Sequence, residues 1–301
     1  MSDRGPVSGM DASGVSVALD ARAELGEGPI WDADRQRLLF VDITGQAIHE
    51  FDPTRGVARV IPTAEPVGAL ALTARGDWVA AAGRGFYRVD PQRGDMVPIV
   101  LVERPDADTR MNDGAVDARG RFWAGSMSTR RQDGQGTLWR LDTDGTAHRM
   151  LAPVTTSNGP DWSPDNRLMY YVDTRTRRVD LFDFDLDAGT MANRRVFVDL
   201  AGETGRPDGL IVDADGAVWV ALWAGGAVRR YLPDGRLDRV VPLPVTQTTK
   251  CAFGGPSLED AYVTSAWRQL TDEQRIEQPL AGALFQFTPG IKGRLPNRFA
   301  G

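Results

Sequence analysis

A chain of 301 residues, 42% hydrophobic and 25% charged, can bury a large core within one domain, which excludes a wholly disordered protein. Its net charge of -6 argues against a nucleic-acid partner, whose phosphates call for a basic face, and points to small molecules. A single cysteine, Cys251, and two histidines, His49 and His148, exclude an internal disulfide, a Cys-rich cluster and a His-rich zinc site.

Residues 1–12 are polar, contain Gly and Pro and lack the apolar core of a secretory signal. They are expected to form a frayed tail ahead of one domain spanning 13–301. No apolar run approaches the roughly 20 residues of a membrane helix, and the best, residues 96–102, reads as a strand. A cytoplasmic protein with no membrane partner, monomeric or weakly self-associating, is the expectation.

The alternating segment VSVAL, residues 15–19, precedes a repeat that fills the rest of the chain. Aligned glycines open its units: Gly28 in GEGPIW, Gly68 in VGALAL, Gly114 in NDGAVD, Gly159 in SNGPDW and Gly209 in PDGLIV, with Cys251 of TKCAFG in the sixth place. The spacing, about 40 to 50 residues, belongs to propellers and solenoids. Helical repeats fail on pattern, because RLLFVD, DWVAAAG, RFWAGSM, LMYYVD, AVWVALW and DAYVTSA are short, β-branched and aromatic, and turns precede them. A second turn series, DPTRG, DPQRG, DTDG, DLDAG and LPDG, closes a third strand and predicts a fourth. The fold class is therefore all-β, a six-bladed β-propeller of four-stranded blades around a central channel, with residues 15–19 completing the last blade.

In such a ring the first strand of each blade lines the channel, and its start shares a face with the loops joining strands two and three. Those loops are residues 42–46, 83–85, 126–131, 173–177, 223–226 and 267–282; the last is long and charged enough to be a lid. The position before each aligned glycine reads Glu27, Val67, Asp113, Asn158, Asp208 and Lys250. Three carboxylates and an amide converging on one channel repel unless a cation or shared protons compensate them. Oxygen donors of these types suit one divalent ion, calcium foremost, with magnesium or manganese next. The competing reading is local, since Asp and Asn before glycine are common turn formers, and Lys250 reads as a channel counter-charge. Serine catalysis lacks a G-x-S-x-G elbow and a nearby histidine. Cys251 reads as a small core residue, and both histidines, in IHEF and AHRM, as half-exposed structural groups.

LGEGPIW, RMNDG at residues 110–114, SNGPDWS, PDGLIVDADGAVWVALWAGG and TTKCAFGG, in this order, resemble the blocks of the regucalcin (senescence marker protein) and gluconolactonase-like family of six-bladed propellers. The resemblance covers residues 25–287. It implies that Glu27, Asn158 and Asp208 bind the divalent metal, that Arg110 and Asn112 bind substrate, and that Asp208 donates and accepts the proton. Zinc and iron enter as further candidate ions. Met111 stands where vertebrate members have a proline, leaving the Arg110 loop less constrained. Where those members place a substrate-contacting glutamate, this chain offers Arg130 or Arg131.

The expected activity is metal-dependent opening of a sugar-acid lactone, such as a glucono-, xylono- or arabinonolactone, to the free acid. Asp208 is the preferred base and Asp113 the alternative; Trp223 and Trp267 could pack on the sugar or on the blades. A metal-dependent esterase or phosphotriesterase-like propeller, or a calcium-binding propeller without turnover, are the rivals.

Overall fold

The short β-branched and aromatic segments pair in fours into antiparallel sheets, and the computed structural model, which describes residues 14–301, arranges six such sheets in a ring. The expected six-bladed propeller is the observed fold. The predicted 1–12 tail lies outside the described residues.

The innermost strands of blades 1 to 6 are Gly26–Asp32, Val67–Leu72, Thr109–Val116, Ser157–Trp162, Arg206–Val212 and Thr248–Gly254. Each touches the innermost strand of the blades on either side, so blade 1 faces blade 4 across the channel and blade 3 faces blade 6. The next strand out is sandwiched between neighbouring blades, which is why Trp78–Ala82 and Leu168–Asp173 are apolar without alternation. Outermost strands such as Val57–Pro62 face solvent.

Blade 6 is completed by the chain's first described strand, Ser16–Leu19, which pairs Ser16 with Gln286 and Val17 with Phe285 on the outer edge of Leu284–Phe287. The ring is thus closed by a strand from the other end of the chain, as the alternating segment predicts.

A second closure has no sequence signal. Residues 292–300 run beneath the ring, on the face opposite the predicted site loops, and touch every blade. The Gly293 amide donates to Leu258 O of blade 6 at 2.8 Å, and the Ala214 amide of blade 5 donates to Lys292 O at 3.0 Å. Arg294 donates to Trp162 O of blade 4 at 2.7 Å and to Val212 O of blade 5 at 3.2 Å, and pairs with Asp161 at 3.1 Å. Asn297 Nδ2 donates to Val116 O of blade 3, Arg298 pairs with Asp34 of blade 1 at 2.6 Å, and the Phe299 amide reaches Leu72 O of blade 2.

Two local features depart from expectation. The 267–282 segment holds a short helix, Asp272–Glu277, started by a reciprocal cap in which the Gln274 amide donates to Thr271 Oγ1 and the Thr271 amide to Gln274 Oε1. His49 is buried rather than half-exposed, stacked on Phe40 at 4.5 Å, because its strand is packed on both faces; His148 is the half-exposed one.

Candidate functional site at the channel mouth

Every innermost strand carries one extra residue relative to its neighbour, at the level of the polar ring: between Glu27 and Ile30, Val67 and Ala69, Met111 and Gly114, Asn158 and Asp161, Pro207 and Leu210, and Thr248 and Lys250. A bulge breaks the strict two-residue alternation, so it turns a side chain into the channel without displacing the strand beyond it. The aligned glycines sit in these bulges. Gly28 and Gly159 take φ of +54° and +72°, and a Cβ on Gly68 would meet the Asn112 carbonyl of the next blade at 2.0 Å. Repeat glycine and functional position are two halves of one device.

Glu27, Asn158 and Asp208 come to the same ring from blades 1, 4 and 5 and are all buried. The strand starts in blades 1 and 4 are pinned in the same way: Asp42 accepts the Glu24, Leu25 and Gly45 amides at 2.8 to 3.0 Å, and Asp173 accepts the Thr155 and Thr156 amides at 2.9 Å. Glu27 Oε2 accepts the Gly28 amide at 3.0 Å, while Asp208 accepts no hydrogen bond from the described residues. Asn158 Nδ2 donates to Thr174 Oγ1 at 2.8 Å, which fixes the amide with its oxygen on the other side, 3.3 Å from Asn112 Nδ2.

Burial pushes the Glu27 carboxyl up to about 8, with Asp113's charge adding and Lys250, the Gly28 amide and Arg110 opposing. Burial, then the charges of Glu27 and Asp113, raise Asp208 well above the usual carboxylate range, against Lys250 and Arg110. Two carboxyls in this state are short of positive charge. The donor set, two carboxylates and an amide oxygen, fits a hard divalent ion with room for further oxygen ligands. Among the described residues no three His, Cys, Asp or Glu side chains form such a group, and the Asn158 amide oxygen is the third donor of the candidate set.

Asp113 is differently placed. Its Oδ1 takes the Lys250 ammonium from across the channel at 2.6 Å and the Gly114 amide at 2.7 Å, and its Oδ2 takes the Gly159 amide at 2.9 Å. Both oxygens accept hydrogen bonds, in contrast to those of Asp208, and Lys250 is the counter-charge the sequence suggests. Asn112 is also committed at both ends, accepting Arg110 Nη1 at 2.8 Å and donating to Ser157 O at 2.8 Å. It reads as the link that orients Arg110 and Asn158. Arg110 Nη1 also donates to Met111 O, leaving Nε and Nη2 for a ligand, and burial, with Arg268's charge adding, lowers this guanidinium to about 10 against the pull of Glu27 and Asp208.

Thr174, which orients Asn158, has no sequence signal because it acts from the next loop. Arg130 pairs with Asp108 at 3.1 Å, whereas the Arg131 side chain has no polar partner among the described residues. Arg275 stacks on Trp267, 4.1 Å from the ring centroid, and Trp223 packs partly buried against the blade core. Cys251 is buried, its thiol pushed up to about 12 by burial, with no base beside it. A cavity of about 310 Å³ lies in the opposite half of the channel, walled by Leu70, Val116, Leu210 and Phe253 and floored by Leu295 and Pro296 of the under-ring segment. It contains neither Glu27, Asn158 nor Asp208.

Residues 25–267 match the family described as the SMP-30/Gluconolactonase/LRE-like region. The chain is 36% identical to regucalcin of Xenopus laevis over 97% of this chain and all of that one. It is also 36% identical to a Bacillus subtilis protein with the provisional name sugar lactone lactonase YvrE, over 95% of this chain and 98% of that one. A solved calcium-binding protein, regucalcin, from Agrobacterium tumefaciens superposes with a TM-score of 0.90 at 30% identity, covering 94% of this chain and 96% of the other. Shared fold, length and sequence blocks make the chain a member of the SMP-30/gluconolactonase family of β-propellers.

Proposed function

We propose that the protein is a divalent-cation-dependent lactonase that opens the ring ester of a sugar acid. The observation that carries this reading is the under-compensated pair Glu27 and Asp208 beside the oriented oxygen of Asn158, in a chain whose relatives include a Bacillus subtilis protein provisionally named a sugar lactone lactonase. These three residues are the proposed ion ligands, with calcium the first candidate on donor type and on the calcium-binding Agrobacterium relative. When bound, such an ion supplies Lewis-acid polarisation of the lactone carbonyl and positive charge for the oxyanion.

The chain's own residues do the rest. Arg110, held by Asn112, donates through Nε and Nη2 to the sugar and fixes which carbonyl face meets water. Asp208, whose carboxyl accepts no hydrogen bond from the described residues, takes a proton as the water oxygen bonds to the carbonyl carbon. Collapse of the oxyanion breaks the ring C–O bond, and Asp208 returns the proton to the departing ring oxygen. The product is the open hydroxy acid.

The test is chelation followed by restoring one divalent ion at a time, with acid release followed from five- and six-membered lactones and an aryl phosphoester as control. Turnover should return with the ion, and D208N should lower it by about 10² to 10⁴-fold. Ion-independent or absent lactone opening, or a fully active D208N, overturns the proposal.

A further inference from the structure

Glu27 and Asp208 each end in two oxygens, so they offer a donor to a cation whichever way round they lie. Asn158 does not: half a turn about its last bond exchanges Oδ1 for Nδ2, which is no ligand for a hard ion. One neighbour leaves this choice open. Thr174 Oγ1, 2.8 Å from the Asn158 amide, is a hydroxyl and can meet either atom, accepting from the nitrogen or donating to the oxygen. The choice is made on the other side of the amide, by Asn112.

Asn112 has no such freedom. Its Oδ1 lies 2.8 Å from Arg110 Nη1, which can only donate, and its Nδ2 lies 2.8 Å from Ser157 O, which can only accept. Partner chemistry at both ends therefore sets its orientation, and the atom it turns toward Asn158, at 3.3 Å, is a donor. That donor is satisfied by Asn158 Oδ1 and opposed by Nδ2. Asn112 and Asn158 are 6% and 0% exposed, so a reversed Asn158 amide would leave two buried donors face to face. Arg110 is itself steadied by the Met111 carbonyl, which the same Nη1 meets at 2.8 Å. One lone pair of Asn158 Oδ1 answers Asn112, and the second is left for an ion.

Resting on the ion-ligand part of the lactonase reading, we infer that Arg110 and Asn112, the pair the family resemblance gives to substrate, are also positioning residues for the ion: Arg110 fixes Asn112, and Asn112 fixes which end of the Asn158 amide is the oxygen. Ion affinity then depends on a side chain that carries the ion's own sign of charge. The direction of that dependence separates it from plain electrostatics. Arg110's charge lowers the proton affinity of Glu27 and Asp208, so on charge alone its removal leaves a more negative ring that binds a divalent ion more tightly. Loss of the relay loosens the ion instead.

The experiment measures calcium affinity by calorimetry on chelator-stripped protein with no lactone present, and the unfolding midpoint in chelator shows that each variant is folded. N112L keeps the charge and removes the donor to Asn158; it should weaken calcium binding by about 10 to 100-fold, as the loss of a hydrogen bond to a metal-ligating side chain does. R110M should also weaken it, by less because the lost charge acts the other way, and R110K, which restores a donor, should recover part of the loss. N112D adds a negative charge and puts an acceptor where the donor was, so charge alone calls for tighter binding and the relay for weaker. If N112L does not fold, R110M against R110K decides. Calcium held by N112L or R110M as tightly as by wild type, or more tightly by N112D, overturns this inference and leaves the lactonase proposal standing. A wild-type protein that binds none of calcium, magnesium and manganese overturns the ion-dependent proposal and this one with it.

Discussion

Replacing Lys250 by methionine separates the role of the channel's ion pair from that of the proposed ion. The Lys250 and Asp113 side chains are 8% and 2% exposed and meet at 2.6 Å, so the substitution leaves a carboxylate in a nearly dry channel without its counter-charge. Removing one partner of a buried pair costs about 3–5 kcal/mol. The Gly114 and Gly159 amides still hold Asp113, which places the expected loss at the lower end, about 3 kcal/mol. Lys250 also opposes the rise in Glu27 and Asp208, so without it the ring is more negative and binds a divalent ion more tightly. Urea unfolding of K250M should therefore show a large deficit in chelator that narrows in calcium. The double variant D113N/K250M should recover part of the loss, with a coupling energy of about 0.5–3 kcal/mol. A K250M deficit below about 1 kcal/mol, or strictly additive single variants, refutes the account of the pair as a mutually dependent crossbar.

Two further outcomes follow from named groups. Glu27, ordinarily near 4.5, is lifted to about 8 in the ion-free fold, so the folded chain holds a proton that the unfolded chain gives up at lower pH. Ion-free stability should then fall as pH rises from about 4.5 to 8. Over the same window ion binding should release close to one proton from Glu27, a release that falls away as pH passes about 8, measured by calorimetry in buffers of different ionisation heat; no proton release at about pH 6 to 7 refutes the assignment. Under the ring, R294A removes an ion pair to Asp161 and hydrogen bonds to Trp162 O and Val212 O, and should lower the unfolding midpoint by an amount equivalent to about 1–3 kcal/mol. Loss of lactone turnover in R294A without loss of stability counts against a purely fastening role.

The repeat made the ring legible, because each blade re-uses the same strand lengths and Gly- and Asp-rich turns, and its register exposed Glu27, Asn158 and Asp208 as equivalent positions. What stayed hidden acts across the register. Asp113 and Lys250 are 137 positions apart and meet only because blades 3 and 6 face each other. The family resemblance assigns Asn112 to substrate, and nothing along the chain signals that its amide also engages Ser157 and Asn158 of the next blade. The under-ring segment has neither strand nor helix periodicity, and it is held by backbone groups and single side chains that reach separate blades. Such contacts leave no pattern along the chain.

The pairing of Ser16–Leu19 with Leu284–Phe287 sets an order of events during synthesis. The first strand leaves the ribosome with no partner, and its partner follows on the order of 250 residues later. At bacterial or eukaryotic elongation rates that interval is roughly ten seconds to a minute. Five blades can collapse in sequence meanwhile, but blade 6 presents an open edge until its outer strand finds the waiting segment, and Thr249 can reach Gly26 O only once the circle is made. Conditions that slow elongation lengthen the time this edge is available to another chain, so the aggregation hazard of the molecule is concentrated in one late step.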